Sequence, residues 1–482
     1  MKIHNHLNTI SPIPLWQNIL SYLIIFVGQL FVYLPVLTNK YLLPDDYEYL
    51  YEGLIHSDKF TVQAIAQARL FNALVAPALA WIGNIDDMWI IRLIGLLGIF
   101  ALAICLFHTF KKYGENIFLS AIFALLITIM PAFQEYASWA VLFLAPWAAV
   151  IAYFAFLSME KSLTATKLKK WLWNVLAVVL LVFAYNIHPT SATFTAVFIT
   201  IFFFYNTGAK KFSQTLFFLI MSGLGAIAHF ITFKIYLFLF NTPALARAAF
   251  LEDPVEKLSW FITRPLLKAF NLIYLPPSGT VATTVAAIII VGLILHFIQQ
   301  KQKKDIPINF IFILLFILLS YSSNLIIDEN LANYRTLLAL SGVVTVIAIV
   351  ALQSFVRMVK KNSTRDTIQY STFIVITIAS MIFALQGYDN LLIQPVARNL
   401  QELRQAATSF DPQKHTKVIF TYMGDKEYKL ALRHDYALIL KLALFEKNPQ
   451  PFEQIIVELK KQDETIGEDT LVLKVSDFTP VQ

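Results

Sequence analysis

The run Leu42-Leu43-Pro44-Asp45-Asp46-Tyr47-Glu48-Tyr49 comes almost directly after the first long apolar segment, Leu15 to Leu37. A carboxylate at mid-bilayer costs about 3 kcal/mol even on a lenient scale. Two adjacent acids behind a proline therefore mark the point where a membrane span ends. A site at such a boundary can meet an apolar substrate tail on one side and a water-soluble partner on the other.

The rest of the chain has the same character. It holds 482 residues, 57% of them hydrophobic and 14% charged, with mean hydropathy +0.63. Soluble proteins carry about 25% charged residues. The composition predicts an all-α polytopic membrane protein. The net charge of +7 comes from short basic loop clusters, which leaves little for nucleic acid. The lone Cys105 lies in an apolar run and can form no disulfide within the chain. The first apolar segment is longer than a signal-peptide core and lacks a cleavage pattern after it, so it reads as an uncleaved anchor.

A span needs roughly 20 apolar residues. Eleven segments qualify, near 16–37, 88–109, 117–134, 139–157, 171–187, 190–206, 213–240, 280–298, 308–327, 336–355 and 367–386. Residues 61–83 hold Gln63, Gln67, Arg69, Asn72 and Pro77 and read as helices lying at the interface. Charge supports that choice. With eleven spans and a cytoplasmic N-terminus, Lys111, Lys112, Lys161, Lys167, Lys169, Lys170, Lys210, Lys211, Lys301, Lys303, Lys304, Arg357, Lys360, Lys361 and Arg365 all face the cytoplasm. The short outer loops hold only Arg335. This is the positive-inside pattern, and a crossing at 61–83 would invert it throughout. Large outer loops follow at 38–87 and 241–279. From 388 to 482 the chain turns polar and predicts a small extracytoplasmic α/β domain, with strands at Lys417–Tyr422 and Thr470–Val475 and helices at Asp435–Glu446 and Pro451–Lys461.

The spans are nearly free of charge, which argues against an ion track across the membrane. The ionisable groups gather on the outer side. Carboxylates can accept a proton from an attacking hydroxyl, and arginines can hold a phosphate with paired bonds. Asp45 and Asp46 are the candidate catalytic residues. Arg69, His188, Lys234, Arg247, Arg264 and Arg335 are the candidate substrate-binding residues. Each also has a bland reading. The acids could be a solvated loop, His188 before Pro189 a turn residue, Arg335 a span anchor and Arg264 part of an interfacial helix at Val255 to Phe270. Asp86-Asp87 fits a turn and helix start, and Glu135 a side chain snorkelling at a span end.

The order of these features resembles the GT-C superfamily of polyprenol-phosphate-sugar-dependent membrane glycosyltransferases. Within it the chain is most similar to the bacterial O-antigen glucosyltransferase family of serotype-converting type. The resembling pieces are Pro44-Asp45-Asp46 with Gly53, Ala68-Arg69-Leu70 in place of a Gly-Arg-Pro-like segment, Ala184-Tyr185-Asn186 at an outer turn, and Asn333-Tyr334-Arg335 opening a late span. They cover most of residues 10–390. The chain departs from the pattern at Glu48 to Tyr51, where an arginine is expected, and at Ala68, where glycine is usual. The resemblance implies transfer of a sugar, glucose in that family, from undecaprenyl phosphate to an O-antigen or other surface glycan, outside the bacterial cytoplasmic (inner) membrane. It further implies inverting single displacement with Asp45 or Asp46 as base. Asp45 and Asp46 could ligate a divalent cation, but no histidine cluster supports a tight site and no metal is assigned. An O-antigen polymerase or ligase, using the 241–279 loop, is one alternative. A lipid-linked sugar flippase is another, and it would need polar groups deep in several spans.

Overall fold

A computed structural model describes residues 14–410, apart from 56, 207, 209, 246–248, 274–277 and 301, and three strands beyond them. The chain starts with α1 (Leu15–Thr38) and leaves the apolar zone in three short helices, α2 (Pro44–Ile55), α3 (Ser57–Ala66) and α4 (Val75–Ile82). Next come α5 (Trp89–Lys112), α6 (Ile117–Thr128), α7 (Pro131–Ser138), α8 (Ala145–Thr164) and α9 (Lys167–Ile187). A single turn, α10 (Pro189–Ala192), leads into α11 (Thr195–Tyr205) and α12 (Lys211–Leu239). Helices α13 (Pro254–Phe261) and α14 (Leu267–Phe270) flank a π turn that takes up Pro265. The helical part ends with α15 (Gly279–Gln299), α16 (Ile306–Ser320), the turn α17 (Ser322–Leu325), α18 (Leu338–Val356), α19 (Asn362–Tyr388) and α20 (Gln394–Thr408).

Among the described residues, eight helices are long and apolar enough to cross a membrane: α1, α5, α8 with the turn before it, α9, α12, α15, α18 and α19. The protein is a multi-pass helical membrane protein. Each of the eleven expected segments carries helix, but three fall short of a straight span. The 117–134 segment breaks at Ile129–Met130, and α6 and α7 meet at 63°. Pro131 explains the break, because it has no N–H to continue the ladder of α6. The 190–206 segment opens with the turn at Pro189 and leaves α11 only 11 residues. The 308–327 segment gives α16, whose 15 residues rise about 23 Å against about 30 Å of hydrocarbon. Residues 61–83 form short helices, none of spanning length.

The centre of the bundle is α18, buried along most of its length, while α9, α12, α15 and α19 turn apolar side chains outward. Small residues let helices close up, as packing in lipid requires. A methyl group on Gly292 of α15 would sit 2.6 Å from Ala351 Cβ of α18. Gly53 plays the same part outside the bundle, where a methyl group would lie 2.8 Å from the Ala76 carbonyl oxygen and push α2 off α4.

Helix α19 continues through the expected domain boundary at 387/388. Helix α20 buries Leu400 and Leu403 and joins the loop between α4 and α5 through Arg404 Nη1 and Asp86 Oδ1, 2.8 Å apart. Beyond it, β1 (Lys417–Tyr422), β2 (Ile456–Lys461) and β3 (Thr470–Lys474) pair in parallel in the order β2-β1-β3. The expected helix at Pro451–Lys461 is therefore a strand over its second half. Ile456 and Val457 are β-branched, and the six residues find a partner in every residue of β1. The expected helix at Asp435–Glu446 lies outside the described residues.

Candidate functional site

Two of the three broken segments meet at one place, and the chain that follows the third reaches it. A cavity of about 310 Å³ lies where α9 turns into α10, α16 turns into α17, and the loop after α7 meets α2. Irregular backbone at membrane depth is tolerated where it lines a cavity, and the interrupted helices are what bring polar groups there. The lining includes Asp45, Glu48, Arg69, His188, Thr190, Ser323, Asn324 and Arg335 on one side and Phe230, Phe233 and Phe250 on the other.

Asp45 stands in the first turn of α2 and accepts a hydrogen bond from Arg335 Nη1 at 2.7 Å, across 290 residues of sequence. Both are partly open, with side chains 39% and 29% exposed. Arg335 lies on a 3-10 turn capped by Asn333, whose side chain accepts from Thr336 N at 3.2 Å. Its guanidinium packs over the Trp139 ring at 4.9 Å. Residues from the second long loop brace the chain leading to it. Lys257 Nζ donates to the Glu329 carbonyl at 2.8 Å, and Lys268 Nζ to the Ala332 carbonyl at 3.1 Å.

Asp46 behaves differently. It is fully buried and does not line the cavity. Its carboxylate accepts from Leu43 N at 3.1 Å and Val141 N at 2.9 Å, and it lies 4.0 Å from Arg92, which is also sealed. Arg92 donates to the carbonyls of Ser138, at 3.1 Å, and Tyr41, and covers the Tyr41 ring at 3.8 Å. This buried pair sews the entry of α2 to the chain after α7. Burial pushes the Asp46 carboxyl up to about 6, against the opposing pull of Arg92 and of the Val141, Leu43 and Ala140 amides.

Arg69 is placed by the end of α3. The Arg69 amide donates to the Ala64 carbonyl at 2.9 Å and the Ala68 amide to the Ile65 carbonyl at 3.1 Å. These are the two bonds of a Schellman cap, which puts its turning residue in the left-handed region. Ala68 has φ 59°. The glycine of the resembling family would suit that backbone better, so the departure at Ala68 carries a local conformational cost.

His188 ends α9 and is buried. Its Nδ1 lies within reach of three hydroxyls, Thr190 at 2.8 Å, Ser191 at 3.1 Å and Tyr136 at 3.2 Å. Burial, then Arg69 and Arg335, hold its pKa well below the usual value, so the ring is neutral. Tyr136 donates to the Arg335 carbonyl at 2.7 Å. It thus joins the His188 corner to the Arg335 turn. Sequence reasoning passed over Tyr136, which sits on α7. Ser323 Oγ and Asn324 Nδ2 in the cavity wall have no hydrogen-bond partner among the described residues.

Of the eight residues singled out from sequence, Asp45, Arg69, His188 and Arg335 meet in this cavity. Asp46 is sealed behind it. Lys234 is exposed and lies beside the cavity, 5.4 Å from the Phe230 ring and 5.9 Å from the Phe233 and Phe250 rings. Arg264 is exposed on the π turn and does not line the cavity. Arg247 lies outside the described residues. The Asp86-Asp87 pair is a turn, as expected: Asn84 Oδ1 accepts from Asp87 N at 2.8 Å, and Asp86 binds Lys40 at 2.7 Å. Among the described residues, no three His, Cys, Asp or Glu side chains converge as a metal site would need, and Asp45 already faces Arg335. The donor set does not fit a tight cation site. No protein-family model matches the chain, and comparison with curated proteins finds no match.

Proposed function

We propose that the protein is a glycosyltransferase that takes a sugar from a polyprenyl-phosphate donor and passes it to a surface glycan on the extracytoplasmic side of a bacterial inner membrane. The observation that carries this reading is the meeting of Asp45, Arg69, His188 and Arg335, from four distant parts of the chain, in a cavity walled on one side by phenylalanines. Phe250 in that wall is 55% exposed and offers a lipid tail an apolar rim. Cavities from roughly 300 Å³ upward hold small ligands. The neutral His188 ring and the unpaired Ser323 and Asn324 groups suit a ligand rich in hydroxyls.

In the reaction, an acceptor hydroxyl attacks the anomeric carbon of the sugar. The bond from that carbon to the phosphate oxygen breaks as the new glycosidic bond forms, with inversion. Asp45 takes the hydroxyl proton, and the leaving phosphate, with its lipid tail, departs with the bonding electron pair. Arg335 orients the Asp45 carboxylate, and with Arg69 it supplies positive charge where the phosphate charge develops. Lys234, at the phenylalanine rim, meets the donor phosphate on its way in.

The test is transfer by purified protein in vesicles, with radiolabelled undecaprenyl-phosphate glucose as donor and lipopolysaccharide as acceptor. Asp45→Asn should lower the rate by about 100-fold or more while the protein stays folded, because a partly exposed ion pair contributes only about 0–1 kcal/mol. Wild-type transfer from Asp45→Asn would remove Asp45 as the base.

A further inference from the structure

A second cavity, of about 560 Å³, lies at the opposite end of the bundle. Helix α5 connects the two ends. Arg92 near its start serves the Asp46 joint and Lys112 at its end lines the second cavity. Twenty residues of helix separate them by about 30 Å, roughly one hydrocarbon thickness. The cavity is therefore at the far membrane surface.

Its chemistry is basic above and apolar below. Lys112, Lys161 and Lys210 line it with a single carboxylate, Glu160. Glu160 is already engaged by Lys112 Nζ at 2.7 Å and by the Tyr113 hydroxyl. Neither Lys161 nor Lys210 has an ion-pair partner among the described residues. Lys161 is held over the Trp173 ring at 4.6 Å. Asn206, Gln214 and Thr164 add hydrogen-bonding groups, and Phe202 and Leu163 make an apolar floor. Beside the cavity, the outward faces of α9 and α12 are strongly apolar: Leu168 is 72% exposed, Trp171 61%, Leu216 49% and Ile220 54%.

We infer that this cavity binds the phosphate headgroup of an anionic phospholipid, with its acyl chains laid along α9 and α12. Lys161 and Lys210 supply the charge that Glu160 leaves uncompensated, and the polar side chains take the remaining headgroup oxygens. A basic pocket between helices at a membrane surface is the physical setting in which such headgroups are held. The site is separate from the proposed transfer site and stands whether or not that function is correct.

Native mass spectrometry of the full chain, purified and mixed with phosphatidylglycerol or phosphatidylcholine, tests the inference. Wild type should retain phosphatidylglycerol in preference to phosphatidylcholine. Lys161→Gln with Lys210→Gln should weaken retention by about fivefold per lysine, about 25-fold together. Lys169→Gln with Lys170→Gln, which removes the same charge from the first turn of α9, outside the cavity, should leave it within about twofold, since exposed charge is screened. Gln214→Trp, which fills the cavity without altering charge, should also displace the lipid. An equal loss from both lysine pairs, or full retention by the cavity pair and by Gln214→Trp, would overturn the site. Displacement by excess inorganic phosphate would make it a soluble-anion site and overturn the lipid assignment.

Discussion

Two joints meet in the first turn of α2. On the cavity side, Asp45 pairs with Arg335 in a partly open setting, 2.7 Å apart. Behind it, Asp46 pairs with Arg92 where neither side chain is more than 1% exposed. The residues are the same type and adjacent in sequence, yet helical geometry sends them to different surroundings. The open pair can be rearranged by a ligand at little cost. The sealed pair cannot, because each charge left alone in the interior is expensive. Asp45 is therefore suited to chemistry, and Asp46 to holding the backbone that presents Asp45.

The largest effect should come from breaking the sealed joint. Asp46→Ala leaves the Leu43 and Val141 amides without an acceptor in a sealed interior. A loss of about 2–5 kcal/mol is expected, at about 1–3 kcal/mol for each orphaned buried group, visible as a large fall in thermal unfolding temperature in detergent. Asp45→Ala, measured beside it, should change unfolding little. If the two substitutions destabilise equally, the division of labour between the acids is wrong.

A smaller effect sharpens the same contrast through pH. The Asp46 carboxyl, pushed up to about 6 by burial, binds its proton more tightly in the folded protein than in the unfolded chain, where the value is about 3.9. The folded state thus gains stability as pH falls through about 6 toward about 4, and the charged acid costs stability above about 6. Between pH 7 and pH 5, wild type should gain about 1 kcal/mol relative to Asp46→Asn, which cannot titrate. Unfolding titrations of the two proteins at both pH values give the comparison. A difference that does not change with pH would mean that Asp46 does not titrate in this range.

Much of this was legible in the sequence, and the parts that were not share a physical cause. Apolar length located eleven helical segments, though not α2 or α20, and Asp45 of the first long loop does meet Arg335 of the turn before α18. Hydropathy averages over a window, however, and cannot see a break made by one residue. The bend at Pro131, the non-spanning residues just after Pro189 and the stop at Tyr321 were all read as parts of full spans. The turns after His188 and after Tyr321 line the cavity. Nor could the sequence separate Asp45 from Asp46, since the distinction rests on their pairing with Arg335 and Arg92, contacts that only the fold makes. The strand at Ile456–Lys461 was missed because its pairing with β1 is a long-range contact that outweighs a locally helical pattern.

The smallest effect belongs to the cavity side and concerns Ala68, the left-handed residue that turns the chain so that Arg69 enters the site. An alanine at φ 59° costs about 1 kcal/mol relative to glycine at the same backbone angles. Ala68→Gly should therefore stabilise the protein by up to about that amount, less the entropy glycine adds to the unfolded chain. The cap bonds from Arg69 to Ala64 and from Ala68 to Ile65 are backbone bonds and survive the change, so Arg69 should keep its place and transfer should stay near wild type. Ala68→Val is the opposing probe, because a β-branched side chain tolerates this conformation worst. It should lower stability and, if Arg69 holds the donor phosphate, raise KM for the donor more than it lowers kcat. Loss of stability without any change in KM would confine Ala68 to capping α3 and leave Arg69 outside the donor site.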